Sequence, residues 1–284
     1  MSFRQMLNDR RKRRGARAAQ ALVAARQEPH YAYLGQNTGI CRTIYGHKIY
    51  VDTRDVSLAP CLIMDGDWEP WITQAIRELL RPGMKCVDLG ANFGWYSLLM
   101  AQQAGAKGFV LCADANPRMV ELCRRSLSVN GFAATSSVSH LAISSQAGTL
   151  TFHAPDMYMG GASLSDVSGV AGTLGDTVNS FEVNALSLDE FTAGQDVDFI
   201  KIDCEGAEPA ILRGGHRTLA APGIQVLLEY TPGNYKNGEP QEMIDTLSGE
   251  GFKFFNVQLD SSLQQLNRDQ LLNISGWSEL YLRR

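Results

Sequence analysis

Between Trp71 and Leu80 the apolar residues fall at 71, 72, 75, 76, 79 and 80, one face of a helix that Pro82-Gly83 stops. Beyond it, short apolar runs alternate with longer periodic stretches. The runs Lys85–Leu89, Gly108–Ala113, Val138–Ile143, Asp198–Ile202, Ile224–Tyr230, Phe252–Val257 and Glu279–Leu282 predict seven strands. Trp95–Gln103, Arg118–Val129, Ala207–Leu219 and Gln241–Glu250 predict the helices between them. This alternation predicts a doubly wound α/β fold, a mainly parallel seven-stranded sheet with helices on both faces. Residues 155–180, rich in Gly, Ser, Asp and Met with no period, predict a long loop, with Met157–Leu174 as a flexible lid.

Ahead of this pattern, residues 4–28 are rich in the helix formers Ala, Arg, Gln and Leu. Cys41–Tyr45, a turn at Gly46 and Lys48–Val51 predict a β-hairpin. The expected organisation is a basic helical arm over 1–30, a hairpin extension over 31–60 and the α/β domain over 61–284. The arm carries eight basic residues against two acidic ones, an excess of +6 on a chain of net charge −4. Such an arm suits contact with an anionic surface or polyanion through residues 4–26. No aromatic residue interleaves Arg10 to Arg26, so no nucleic-acid partner is expected.

Hydrophobic residues make up 44% of the chain and charged residues 20%, an ordinary globular balance. No run approaches the roughly 18 apolar residues that span a bilayer, so no transmembrane segment is expected. No secretory leader follows the basic run either. The six cysteines include no CxxC pair, which argues against a zinc site and predicts a reducing, cytoplasmic setting.

Three segments carry chemistry. In Val87–Tyr96 a strand ends at Asp88, a turn with Gly90 and Gly94 follows, and a helix begins. The spacing is DxGxxxG, not the GxGxxG of dinucleotide sites. Ligands of open α/β sheets bind at such strand ends. A helix N-terminus suits a carboxylate and Asp88 suits an ammonium, and an amino acid joined to a nucleoside has both. Asp114 ends the next strand, 20 residues after Gly94, where an acidic residue can accept from both ribose hydroxyls. In Phe199–Glu208, Lys201 lies inside an apolar strand, where its charge needs a partner. Strand alternation puts Lys201 and Asp203 on one face. Glu229 ends the following strand, so Lys201 is expected to pair with Glu229 while Asp203 and Glu205 face the cleft. His140 reads as a packed strand residue rather than a base.

Asp88-Leu-Gly-Ala-Asn-Phe-Gly94, Asp114-Ala-Asn-Pro117 and Ile200-Lys-Ile-Asp-Cys-Glu-Gly-Ala-Glu208 together resemble the FkbM-family methyltransferases over roughly residues 60–260. Asp67-Trp-Glu-Pro70 and Leu186-Ser-Leu-Asp189 are similar to that family as well. One departure is Ala115 after Asp114, where Pro is commoner. The resemblance implies a class I, Rossmann-like methyltransferase fold and S-adenosyl-L-methionine as donor. It also implies an O-linked acceptor, a hydroxyl of a sugar, glycan or related natural product. Asp88, Gly90, Ala91, Asn92, Gly94 and Asp114 would bind the cofactor, and Glu69, Ala115 and Ala142 are expected to join them. Lys201, Asp203, Glu205 and Glu229 are the expected catalytic residues. Asp203 and Glu205 would also be the ligands of a divalent cation such as magnesium, whose involvement the sequence leaves open. Two rival readings remain: N-methylation of a lipid or peptide, and a non-catalytic scaffold that binds the cofactor.

Overall fold

The structure is a computed structural model that describes residues 30–284; the expected helical arm lies outside these residues. β1 (Tyr31–Gly35), β2 (Thr38–Arg42) and β3 (Lys48–Asp52) form an antiparallel sheet, one strand more than the predicted hairpin. The additional strand, β1, is exposed at nearly every position and so carries no burial period to read. This sheet shares the main core. Ile49 and Val51 are fully buried in the cluster that holds Leu98 and Leu99, and Arg118 pairs with Asp52 at 3.0 Å.

β4 (Lys85–Leu89), β5 (Phe109–Asp114) and β6 (Ser136–His140) then lay down half of the main sheet. The run predicted as one strand over Val138–Ile143 divides at Leu141. Beyond it, β7 (Ala142–Ser144) pairs with β9 (Val178–Ser187), which pairs with β8 (Gly148–Pro155), in a separate three-stranded sheet. The expected structureless stretch 155–180 is the connection between β8 and β9, and it holds a short helix, Ser168–Thr173. β10 (Phe199–Ile202), β11 (Gln225–Tyr230), β12 (Lys253–Val257), β13 (Leu263–Leu266) and β14 (Ser278–Arg283) return to the main sheet. Its order is β13-β12-β14-β11-β10-β4-β5-β6. The short edge strand β13 makes eight strands where seven were predicted. β4, β5, β6, β10 and β11 pair in parallel, and β14 runs antiparallel between β11 and β12. This is the doubly wound α/β sheet that the strand–helix alternation predicts.

Alternation along the strands divides the core. Cys86, Cys112, Phe199, Leu227 and Tyr281 face one layer, built with Pro70–Leu79, Trp95–Ala104 and the N-terminal sheet. Val87, Leu89, Ile200, Ile202 and Leu228 face the other, against Glu208–Arg213 and Glu239–Gly249. The predicted helix over Ala207–Leu219 breaks in two at Gly214-Gly215. A Cβ on Gly214 would lie 2.4 Å from the Ser144 carbonyl, so β7 presses directly on the chain there. The order of connection reverses between β4 and β10: one half of the sheet grows through β5 and β6, the other through β11. A crevice opens outside the strand ends at such a reversal.

Candidate active site

A cavity of about 490 Å³ occupies that crevice, within the range of small-molecule sites. Its floor is the carboxyl edge of the sheet. Gly90, Ala91 and Asn92 follow β4, Asp114 ends β5, Asp203 follows β10 and Glu229 lies near the end of β11. Glu69, Ala115, Ala142 and Glu205 also line it.

The turn after β4 is held by close packing. Gly90 has φ +77°, and a Cβ there would lie 1.8 Å from the Asp203 carbonyl oxygen, so only glycine fits. Asn92, at φ 49°, donates its backbone N–H to Asp114 Oδ2 at 2.8 Å, while Asn116 donates to Oδ1 at 2.8 Å. Burial pushes the Asp114 carboxyl up to about 6. Asp88 and Gly94 lie behind the turn and do not line the cavity. Asp88 is 2% exposed and accepts from the Ser97 hydroxyl, and burial raises it to about 6 as well. Gly94, φ +90°, packs on Cys123. Met119, Leu141, Ala142 and Phe152 give the Asp114 end an apolar wall. His140 bonds through Nε2 to the Ala115 carbonyl at 2.9 Å and takes no part in the lining.

The central part is acidic. One carboxylate oxygen from each of Asp203, Glu205 and Glu229 lies within 4.8 Å of the others. Burial, reinforced by the neighbouring carboxylates, raises Glu205 and Glu229 above the usual carboxylate range. Glu205 is presented by a strained turn, with φ 49° followed by Gly206 at φ +101°. Glu208, 1% exposed, fixes this turn by accepting from the N–H groups of Cys204 and Gly206 at 2.7 and 2.9 Å. From the other side the Ser163 hydroxyl donates to the Glu205 carbonyl at 2.7 Å.

Lys201 does not pair with Glu229 as expected. Its Nζ lies 2.8 Å from Asp203 and 3.9 Å from Glu279, and 4.5 Å from the centre of the Tyr96 ring. Asp203 follows on the same face two residues later, and β14 brings Glu279 beside Glu229 in register. Lys201 is 1% exposed and lies beneath the cavity floor. Glu69, in the left-handed region at φ 42°, accepts from the Tyr96 hydroxyl at the edge of this cluster. Sequence reasoning missed Glu279 and Tyr96. Nothing local marks either, since one is a polar residue in a terminal strand and the other an aromatic in a helix.

The fold and the site define a doubly wound α/β protein with a small-molecule cavity at the carboxyl edge of its sheet. The model of the Methyltransferase FkbM domain matches residues 88–254, and the chain belongs to that family. No curated protein matches the sequence. Among solved structures it is similar to a methyltransferase FkbM from Methylobacillus flagellatus KT, at 12% identity and TM-score 0.46, covering 75% of this chain and 50% of that one. This chain thus spans half the length of that protein. It is also similar to a SAM-dependent methyltransferase from Aquifex aeolicus, at 15% identity and TM-score 0.41, covering 74% and 87% of the two chains.

Proposed function

We propose that this protein transfers the methyl group of S-adenosyl-L-methionine to a hydroxyl of a sugar, glycan or related natural-product acceptor. The observation that carries the reading is the order of groups along one sheet edge. A half-satisfied carboxylate, Asp114, adjoins an apolar slot at one end, and three carboxylates converge at the centre. The residues fit the donor. Asp114 keeps acceptor capacity for ribose hydroxyls, the wall around Ala142 suits adenine, and Asn92 and Ala91 border the amino-acid portion. Glu69 lines the cavity where Asp88 does not, and so is the better partner for the donor's ammonium.

S-adenosyl-L-methionine supplies an electrophilic methyl carbon. The chain has to align the acceptor oxygen, exclude water and accept the hydroxyl proton. Asp203 and Glu205 are the carboxylates assigned to that proton, with Lys201 paired to Asp203 and Glu229 closing the cluster. A second reading rests on the same three carboxylates. Hard oxygen donors this close suit magnesium, although Lys201 already compensates Asp203. The arm over residues 4–26 is read as a contact for an anionic surface, distinct from the site.

Asp203→Asn and Glu205→Gln test the assignment. Each is expected to lose about a hundred- to ten-thousand-fold in methyl transfer while calorimetric affinity for S-adenosylhomocysteine holds. Wild-type rates in both variants would remove the carboxylates from the chemistry. EDTA separates the two readings, since only the metal-assisted one stops in it. Methylated amines as products would turn the assignment toward N-methylation. Donor binding without transfer to any acceptor would leave the scaffold.

A further inference from the structure

Trp277 is 55% exposed at the edge of the cavity, an unusual place for the largest side chain. It is held rather than loose. One side of the ring meets Trp71, centroids 6.3 Å apart at 33°. The next residue, Ser278, begins β14, opposite Tyr230, and its hydroxyl bonds Asn256 at 2.7 Å. Trp277 therefore lies just past the end of β11, beyond Glu229. Tyr158, on the connection between β8 and β9, lines the same cavity. The Tyr158 ring packs so tightly on Gly161 that a Cβ there would lie 2.4 Å from it. Tyr158 shares the cavity lining with Glu205 and Glu229, and burial, together with those two groups, raises its phenol.

The sheet sets the spacing. From β5 to β14 the order runs β5, β4, β10, β11, β14, four steps of about 4.8 Å, or about 19 Å in all. Asp114 marks one end, Asp203 lies between, and Trp277 marks the other. A nucleoside on Asp114 and a methyl group near Asp203 leave the β11–β14 end for the acceptor. Among the described residues that line the cavity, Trp277 and Tyr158 stand with carboxylates and there is no Lys or Arg, Lys201 being buried beneath the floor. Aromatic faces attract the C–H face of a ring, and carboxylates accept from its hydroxyls. Nothing in that lining would pair with an anionic acceptor.

We infer that Trp277 and Tyr158 form the acceptor subsite, and that it takes a neutral pyranose ring stacked on Trp277 with its hydroxyls toward Glu205 and Glu229. This rests on the O-methylation reading and names the ring that reading requires.

The test uses the full chain, labelled S-adenosylmethionine, and a panel of neutral methyl glycosides, glucuronides and simple alkylamines. Wild type is expected to label neutral glycosides and not glucuronides. Trp277→Ala should raise the glycoside KM about tenfold, with kcat changed far less and S-adenosylhomocysteine affinity kept. Trp277→Phe should restore most of the KM, which loss of folding would not. Glycoside turnover with an unchanged KM in Trp277→Ala overturns the subsite and leaves the O-methylation reading standing. Transfer to amines or glucuronides alone, or to nothing while S-adenosylhomocysteine binds, overturns the acceptor class and the subsite together.

Discussion

The two oxygens of Asp114 offer about four acceptor positions, of which the N–H groups of Asn92 and Asn116 take two. Two remain, the number a ribose diol can use. Because burial raises this carboxyl to about 6, it loses its charge as the pH falls through that value. Hydroxyls donate more strongly to the charged form. Affinity for S-adenosylhomocysteine is therefore expected to fall about tenfold between about pH 7 and about pH 5. Asp114→Asn should bind about 1–3 kcal/mol more weakly at neutral pH and lose most of that dependence. Calorimetry across the range checks it, and a slope unchanged in the variant would move the titration to Asp88, which burial also raises to about 6. Asp114 is legible in the sequence because a carboxylate closing an apolar run stands out locally. Glu279 is not. It reaches Lys201 only because the last strand enters the sheet beside β11, and no nearby residue encodes that insertion.

Among the elements, the connection between β8 and β9 is fastened to the N-terminal extension. Asp55 accepts from the N–H groups of Leu58 and Ala59 at 2.8 and 2.7 Å, where the helix Ala59–Met64 begins, and from Met159 at 3.3 Å. Val56 donates to the Met157 carbonyl at 2.9 Å, and Gly160 to the Ser57 hydroxyl at 3.0 Å. One carboxylate thus serves both a helix start and the lid. Asp55→Ala is expected to cost about 1–2 kcal/mol in thermal unfolding and to speed proteolysis within residues 157–174. Cleavage no faster than wild type would separate the lid from this latch. The lid's strands escaped the sequence reading for a physical reason. β8 and β9 interrupt their buried positions with exposed Thr, Asn, Ser and Glu, and each gains its stability from the other rather than from an apolar run of its own. The central strands β4, β10 and β11, buried on both faces, announced themselves as apolar runs.

At the scale of the whole chain, the first thirty residues carry an excess of +6 on a chain of net charge −4. Each basic residue near an anionic lipid surface contributes about 1 kcal/mol at low salt. Deleting residues 1–29 should abolish sedimentation with phosphatidylserine vesicles while transfer to a small acceptor continues. Binding by full-length protein that ignores both the deletion and added salt would dismiss the arm as a membrane contact. No described helix is long and apolar enough to cross a bilayer.

The fit of Gly90 against the Asp203 carbonyl, with no room for even one more carbon, makes a single wall of main chain common to both substrates. Such a wall cannot be adjusted for one occupant without disturbing the other, and inheritance has little freedom there. Tyr158 and Trp277 stand outside it, on a connection and at a strand entrance. Divergence among descendants of this chain would accumulate at those two positions, altering which molecule is methylated while the source of the methyl group stays the same.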